Sequence, residues 1–150
     1  MSSVSQFDVQ VINQQFSGLP AYGQVYNQGV QNVANGATFT FDSNGVLNGF
    51  THVLGSDTIT SQVKGVFCVL WIINGQSGGA FTFLQNNVAV PVLSYVSLEA
   101  TEGLQGQGII VIEDGDTFKF RNNTGFEVDL VQQNNFTNAT VMFMQIANHP

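Results

Sequence analysis

This sequence is short of charge. Only 9% of its 150 residues are charged, three of them basic and ten acidic, for a net charge of −7. Three cations cannot neutralise a run of phosphates, so nucleic acid is not an expected partner. The single cysteine, Cys68, excludes an internal disulfide framework. It sits in the apolar run 66–71, where a free cysteine is expected to be a buried small hydrophobe. A reactive thiol would want basic neighbours, and only Lys64 is near in sequence. The two histidines, His52 and His149, are too few for the His-carboxylate cluster of a cupin-type metal site. No apolar run is long enough to span a bilayer, so membrane insertion is not expected. Residues 1–6 lack the basic and apolar segments of a secretory signal, and none is expected. Helical periodicity, fixed-length repeats and Gly-X-Y tracts are also missing, which excludes bundles, propellers, solenoids and collagen.

What remains is a regular beat of short apolar stretches and turns. Residues 37–41, 81–83 and 126–130 alternate with period two, the pattern of a half-buried strand. Turn signals punctuate them: Asn35-Gly36, Asn44-Gly45, Asn74-Gly75, Asp114-Gly115 and Asn123-Thr124-Gly125. Strands are predicted near 21–27, 37–42, 46–51, 57–62, 65–73, 80–85, 88–93, 106–112, 116–121, 126–132 and 139–147. Asn86-Asn87 reads as a two-residue hairpin turn, and Asp114-Gly115-Asp116 as a second tight turn. A single all-β sandwich or barrel follows. Residues 1–18 stand apart as a polar N-terminal arm. Phe7, Val9 and Val11 alternate there with Asp8 and Gln10, which leaves two readings, a frayed terminus or an assembly strand for a neighbouring sheet edge. Residues 19–150 form the compact domain.

Two predicted strands, 66–73 and 141–146, are apolar on both faces, with a shorter run at 109–112. An antiparallel sandwich strand should have one wet face. In a chain this small the simplest cover for a second apolar face is another copy of the molecule.

Several stretches taken in order resemble a known family. These are Pro20-Ala21-Tyr22-Gly23 followed by Val33-Ala34-Asn35-Gly36-Ala37-Thr38-Phe39, then Gly49-Phe50-Thr51-His52 and Val63-Lys64-Gly65-Val66-Phe67. Asn87-Val88-Ala89-Val90-Pro91, Gly106-Gln107-Gly108-Ile109, Gly115-Asp116-Thr117-Phe118 and a closing apolar strand at 139–147 complete the pattern. The sequence resembles the C-terminal domain of BclA-type spore-surface (exosporium) glycoproteins, within the C1q/TNF-like jelly-roll superfamily. The resemblance covers about residues 20–148 and rests on order and spacing rather than on one motif. It implies a ten-stranded jelly-roll β-sandwich that forms a homotrimer. It also implies that strands 22–27, 66–73, 117–121 and 141–147 face the threefold axis, with 109–112 in the outer sheet. The trimer-interface candidates are Tyr22, Tyr26, Phe67, Val69, Trp71, Phe118, Phe120, Val141, Phe143 and Gln145, and the arm candidates are Phe7, Val9 and Val11. The family's collagen-like stalk is missing from this sequence, so a compact knob with a short polar arm is expected.

The implied function is a non-enzymatic structural protein: a self-trimerising module of a spore surface, exosporium or coat, for assembly or adhesion. Its expected partners are itself and other spore-surface proteins or glycans. The alternative is a trimeric carbohydrate- or receptor-binding module, a lectin-like tip or phage-fibre component. No cofactor is expected. Glu113, Asp114 and Asp116 offer carboxylates to calcium, with Glu99 and Glu102 as further donors; the other reading is a solvated hairpin turn, which the family's Gly-Asp favours. His52 falls in the family's Gly-x-Thr-His turn, which implies a structural role rather than that of a catalytic base. Trp71, Tyr22, Tyr26 and Tyr95 could stack on a sugar, but Trp71 lies in the most apolar strand and reads as core or interface.

Overall fold

A computed structural model describes residues 20–75, 79–97 and 103–150. The arm candidates Phe7, Val9 and Val11, and Glu99 and Glu102, lie outside the described residues. Thirteen short strands and one 3-10 turn form two facing sheets and a small ladder. In chain order the strands are β1 (Tyr22–Asn27), β2 (Gln31–Val33), β3 (Ser43–Asn48), β4 (Phe50–His52), β5 (Ile59–Ser61), β6 (Gly65–Ile73) and β7 (Gly79–Gln85). They continue as β8 (Val88–Ala89), β9 (Tyr95–Ser97), β10 (Leu104–Ile112), β11 (Thr117–Asn122), β12 (Val128–Leu130) and β13 (Ala139–Ala147). The first sheet has the order β10-β6-β13-β1-β3. The second runs β4-β5-β11-β7-β8 with β9 also on β7, and β12 pairs with β2. Every named pairing is antiparallel.

The strand count exceeds ten because corners divide long runs. The predicted strand 46–51 becomes β3 and β4, broken at Gly49, whose φ of +89° turns the chain from one sheet to the other. A Cβ there would also stand 2.9 Å from the Ala21 side chain. Residues 37–42 are not a strand beyond one bridge, Thr38 to Arg121. Their backbone bonds are divided between β11, where Phe39 N–H reaches Phe120 O and Asn122 N–H reaches Ala37 O, and the loop at 55–56, where Phe41 N–H reaches Ser56 O. The predicted strand 88–93 shortens to β8 and passes into a 3-10 turn at Pro91–Leu93. Strands β2 and β9 were not predicted. Asn86 and Asn87 take φ of 54° and 64°, the left-handed pair of a tight hairpin, as their type allows.

The core between the sheets is aromatic. Phe39, Phe41, Phe67, Trp71, Phe81, Phe83, Phe118, Phe120 and Phe143 are fully buried there. Phe50 stacks on Phe143 at 4.7 Å, and Phe39 meets Phe81 edge-on at 5.0 Å. Each such ring contributes about 1.5–3 kcal/mol by leaving water.

Candidate functional site: an open apolar sheet face

Strand β6 is buried in alternation, as its pattern of inward Phe67, Val69, Trp71 and Ile73 shows. Those side chains fill the core, so the intervening Val66, Cys68, Leu70 and Ile72 occupy the sheet's other side. Register carries that side across the sheet. Met142 opposes Leu70 and Met144 opposes Cys68 on β13. Ile109 opposes Cys68 and Val111 opposes Val66 on β10. Tyr22 opposes Met144 and Gln24 opposes Met142 on β1. The result is one apolar face across four adjacent strands, extended by exposed Val46 on β3. No part of the described chain forms a layer over it.

This placement corrects several expectations. Strand β11 belongs to the opposite sheet, between β5 and β7, rather than to the sheet of β1, β6 and β13, and it is β10, expected in the outer sheet, that joins that sheet beside β6. The tight turn 113–116 crosses between sheets and is tied to β5, where Gly115 N–H reaches Ser61 O and Ser61 N–H reaches Asp116 O. The second apolar face of 109–112 is thereby accounted for, because Ile109 and Val111 belong to the open face. Phe67, Val69, Trp71, Phe118, Phe120, Val141 and Phe143 are buried within the protomer, so their side chains are unavailable to a neighbouring copy. Gln145 is engaged at the base of the sheet, its Oε1 accepting the Ala21 N–H at 2.8 Å. Tyr22 and Tyr26 do lie on the open side of β1. Cys68 is half-buried on that face rather than inside the core.

The face is not flat. A hollow of about 340 Å³ has an apolar floor of Leu70, Ile72 and Met142 and an amide rim of Gln24, Gln105 and Gln107. Gln24 Nε2 donates to Thr140 Oγ1 at 3.0 Å, which leaves the Gln24 carbonyl as an acceptor. A smaller hollow of about 130 Å³ lies between Tyr22, Val46, Met142 and Met144. Next to β10 runs the strip of chain from β8 to β9, which carries exposed Val88, Val92 and Val96 and belongs to the second sheet through β7. Tyr95 joins strip to sheet, its hydroxyl donating to Gln107 O at 2.7 Å.

The candidate chemical groups are structural. His52 is buried edge-on to Phe41, with Nδ1 2.5 Å from Asn44 Oδ1 and Nε2 donating to Ser56 O at 2.9 Å. Neither ring nitrogen faces a carboxylate or a serine hydroxyl, so no triad is assembled. Asp116 accepts from Gln85 Nε2, Asn86 Nδ2 and Glu113 N–H, each at 2.8 Å. Burial pushes its pKa up, but these three donors outweigh burial and hold it below the usual carboxylate range. A carboxylate so saturated braces its turn; Asp114 is exposed, and among the described residues no three His, Cys, Asp or Glu groups converge on a metal position. Trp71 is core, its indole N–H donating to Leu93 O at 2.9 Å.

No protein-family model matches the chain, and no curated protein matches its sequence. Solved structures do match. The globular domain of zebrafish complement 1qA superposes with a TM-score of 0.66 at 12% identity, covering 86% of this chain and 99% of that one. Murine APRIL gives 0.61 at 9% identity, covering 85% and 100%. Eiger TNF from S. frugiperda gives 0.57 at 13% identity, covering 88% and 94%. At such low identity the likeness speaks for the fold, and the fold is a C1q/TNF-like jelly roll.

Proposed function

We propose that this chain is a non-enzymatic structural module that assembles as a homotrimer through its open sheet face and serves a spore surface, exosporium or coat, in assembly or adhesion. The carrying observation is the apolar face built by Leu70, Ile72, Ile109, Met142 and Met144. Such a face drives association at about 25 cal/mol per Å² buried, less the cost of lost freedom. The strip at Val88, Val92 and Val96 favours a threefold over a twofold arrangement. A twofold contact pairs a patch with itself and would leave the strip bare, whereas a head-to-tail contact of face on strip covers both and makes a ring of three when the rotation between copies closes. The spore-surface assignment is supported by the order of family-like stretches, and the residues 1–18 arm, in whose sequence Phe7, Val9 and Val11 alternate with Asp8 and Gln10, is assigned to contacts between trimers.

Light scattering on the purified protein tests the trimer. The expected mass is three times the chain mass of 16.2 kDa, and a monomer or dimer at micromolar concentration defeats the proposal. Deletion of residues 1–18 is expected to leave the trimer intact and to abolish larger assemblies seen by electron microscopy. Immunogold labelling of spores from the source organism tests the location; label confined to the cell interior would end that part of the reading.

A further inference from the structure

The opposite side of the molecule has a different chemistry. Strand β11 lies in the interior of the second sheet, with Phe118 and Phe120 turned into the core and Lys119 and Arg121 turned out. These are two of only three basic side chains in a sequence with ten carboxylates. Their Cα atoms are about 7 Å apart on one strand face. Arg121 is flanked in register by Thr82 on β7 and by Thr38 on the other side. Its guanidinium is already oriented. Nε donates to Asn123 Oδ1 at 3.0 Å, and that oxygen also accepts the Thr82 hydroxyl at 2.6 Å. Asn123 is held in turn by its own N–H on Ala80 O at 2.8 Å. Among the described residues no carboxylate is in ion-pair contact with Arg121, and the terminal guanidinium nitrogens have no acidic partner there. Asp57 feels the Lys119 charge while its oxygens accept the Thr38 and Thr58 hydroxyls, so Lys119 is partly balanced within the chain and Arg121 is the freer cation.

We infer that this outward face of β11 binds a carboxylate-bearing saccharide. A guanidinium matches a carboxylate as a two-pronged donor, and a second cation one strand repeat away adds attraction. The flanking hydroxyls and amide of Thr38, Thr82 and Asn123 suit sugar hydroxyls. An acidic peptide fits less well, because β11 is paired on both sides and offers no free edge for a peptide main chain. The face belongs to the second sheet, on the opposite side of the sandwich from the open apolar face. Trimerisation would present three copies and strengthen a weak single contact by avidity, and only this avidity rests on the proposed trimer.

The test is binding of the full chain to immobilised polygalacturonate, dextran and polyglutamate at low and physiological salt. Polygalacturonate is expected to bind and to weaken as salt rises, and neutral dextran is expected not to bind. Arg121→Gln is expected to lower apparent affinity roughly tenfold or more, the scale of a lost charged hydrogen bond. Lys119→Gln is expected to lower it less, with the circular dichroism spectrum and light-scattering mass unchanged in both. No binding to polygalacturonate overturns the inference, as does equal binding to polyglutamate or full retention by Arg121→Gln. The light-scattering mass of the same samples separates the two readings. A monomer that binds through Arg121 removes the trimer alone, and a trimer that does not bind removes the saccharide site alone.

Discussion

Gly106 on β10 and Trp71 on β6 are register partners, and a Cβ on Gly106 would stand 2.4 Å from Trp71 Nε1. The glycine is required there for close approach rather than for an unusual backbone angle. The indole has nowhere to retreat: its N–H is fixed on Leu93 O at 2.9 Å, and its ring meets Phe120 at 5.3 Å and Tyr95 at 6.0 Å. Gly106→Ala is therefore expected to destabilise by about 1–3 kcal/mol, the cost of overpacking a filled core. For a chain of this size that lowers the melting temperature by roughly 2–4 °C per kcal/mol. Calorimetry checks it, and an unchanged melt would show that the indole moves aside at no cost.

Leu70 and Phe143 test the two sides of the first sheet. Leu70 belongs to the open face and Phe143 to the core. Leu70→Lys is expected to keep the far-ultraviolet circular dichroism spectrum and to convert the trimer into monomers, because an unpaired ammonium in a closed interface is costly. Phe143→Lys is expected to unfold the chain. A Leu70→Lys protein that still scatters as a trimer would place the interface elsewhere.

The sandwich was legible because period-two alternation and turn residues are local signals. Asn86-Asn87 and Asp114-Gly115 fall where those signals put them. The direction of the strands apolar on both sides was not legible. When both faces of 66–73 are apolar, nothing in the spacing says which set points inward, and a shift of one residue exchanges Phe67, Val69 and Trp71 for Cys68, Leu70 and Ile72. Membership of a sheet was hidden for a different reason. Whether 104–112 or 117–122 lies beside β6 depends on pairings far apart in sequence. Residues 37–42 alternate cleanly yet share their backbone bonds between β11 and a loop, since alternation reports a half-buried path and not a continuous ladder. Lys119 and Arg121 alternate with Phe118 and Phe120 in the sequence, but their shared patch with Thr82 and Asn123 needed the register of β7 against β11.

Cys68 is a probe of the proposed assembly that needs no substitution on the face itself. Its register partners are Ile109 and Met144, so the thiol lies within the face assigned to subunit contact. In a separated chain it is half-exposed. Thiol labelling is expected to be slow in the assembled wild type and fast in the Leu70→Lys monomer, with both proteins folded. Equal rates would mean that assembly leaves this part of the face uncovered.

Asp116 gives the fold a defined response to acid. Burial raises its pKa, but donors from Asn86, the Glu113 backbone and Gln85 more than reverse that, so the folded-state value lies below the unfolded one. A depressed carboxylate stabilises the fold fully above its unfolded pKa, and that stability is lost as pH falls through the folded value. Asp57 is lowered in the same direction, against its burial, by Thr38, Thr58 and Lys119, and adds to the effect. Asp116→Asn would turn an amide N–H toward groups that are themselves donors, at a cost of about 1–3 kcal/mol near neutral pH. Urea unfolding at several pH values should show the difference between wild type and Asp116→Asn largest above about pH 5 and shrinking toward pH 3. The variant keeps the acid response that Asp57 supplies. Two stability curves that stay parallel from neutral to acid pH would mean that the Asp116 charge contributes nothing and that the turn is held by its backbone alone.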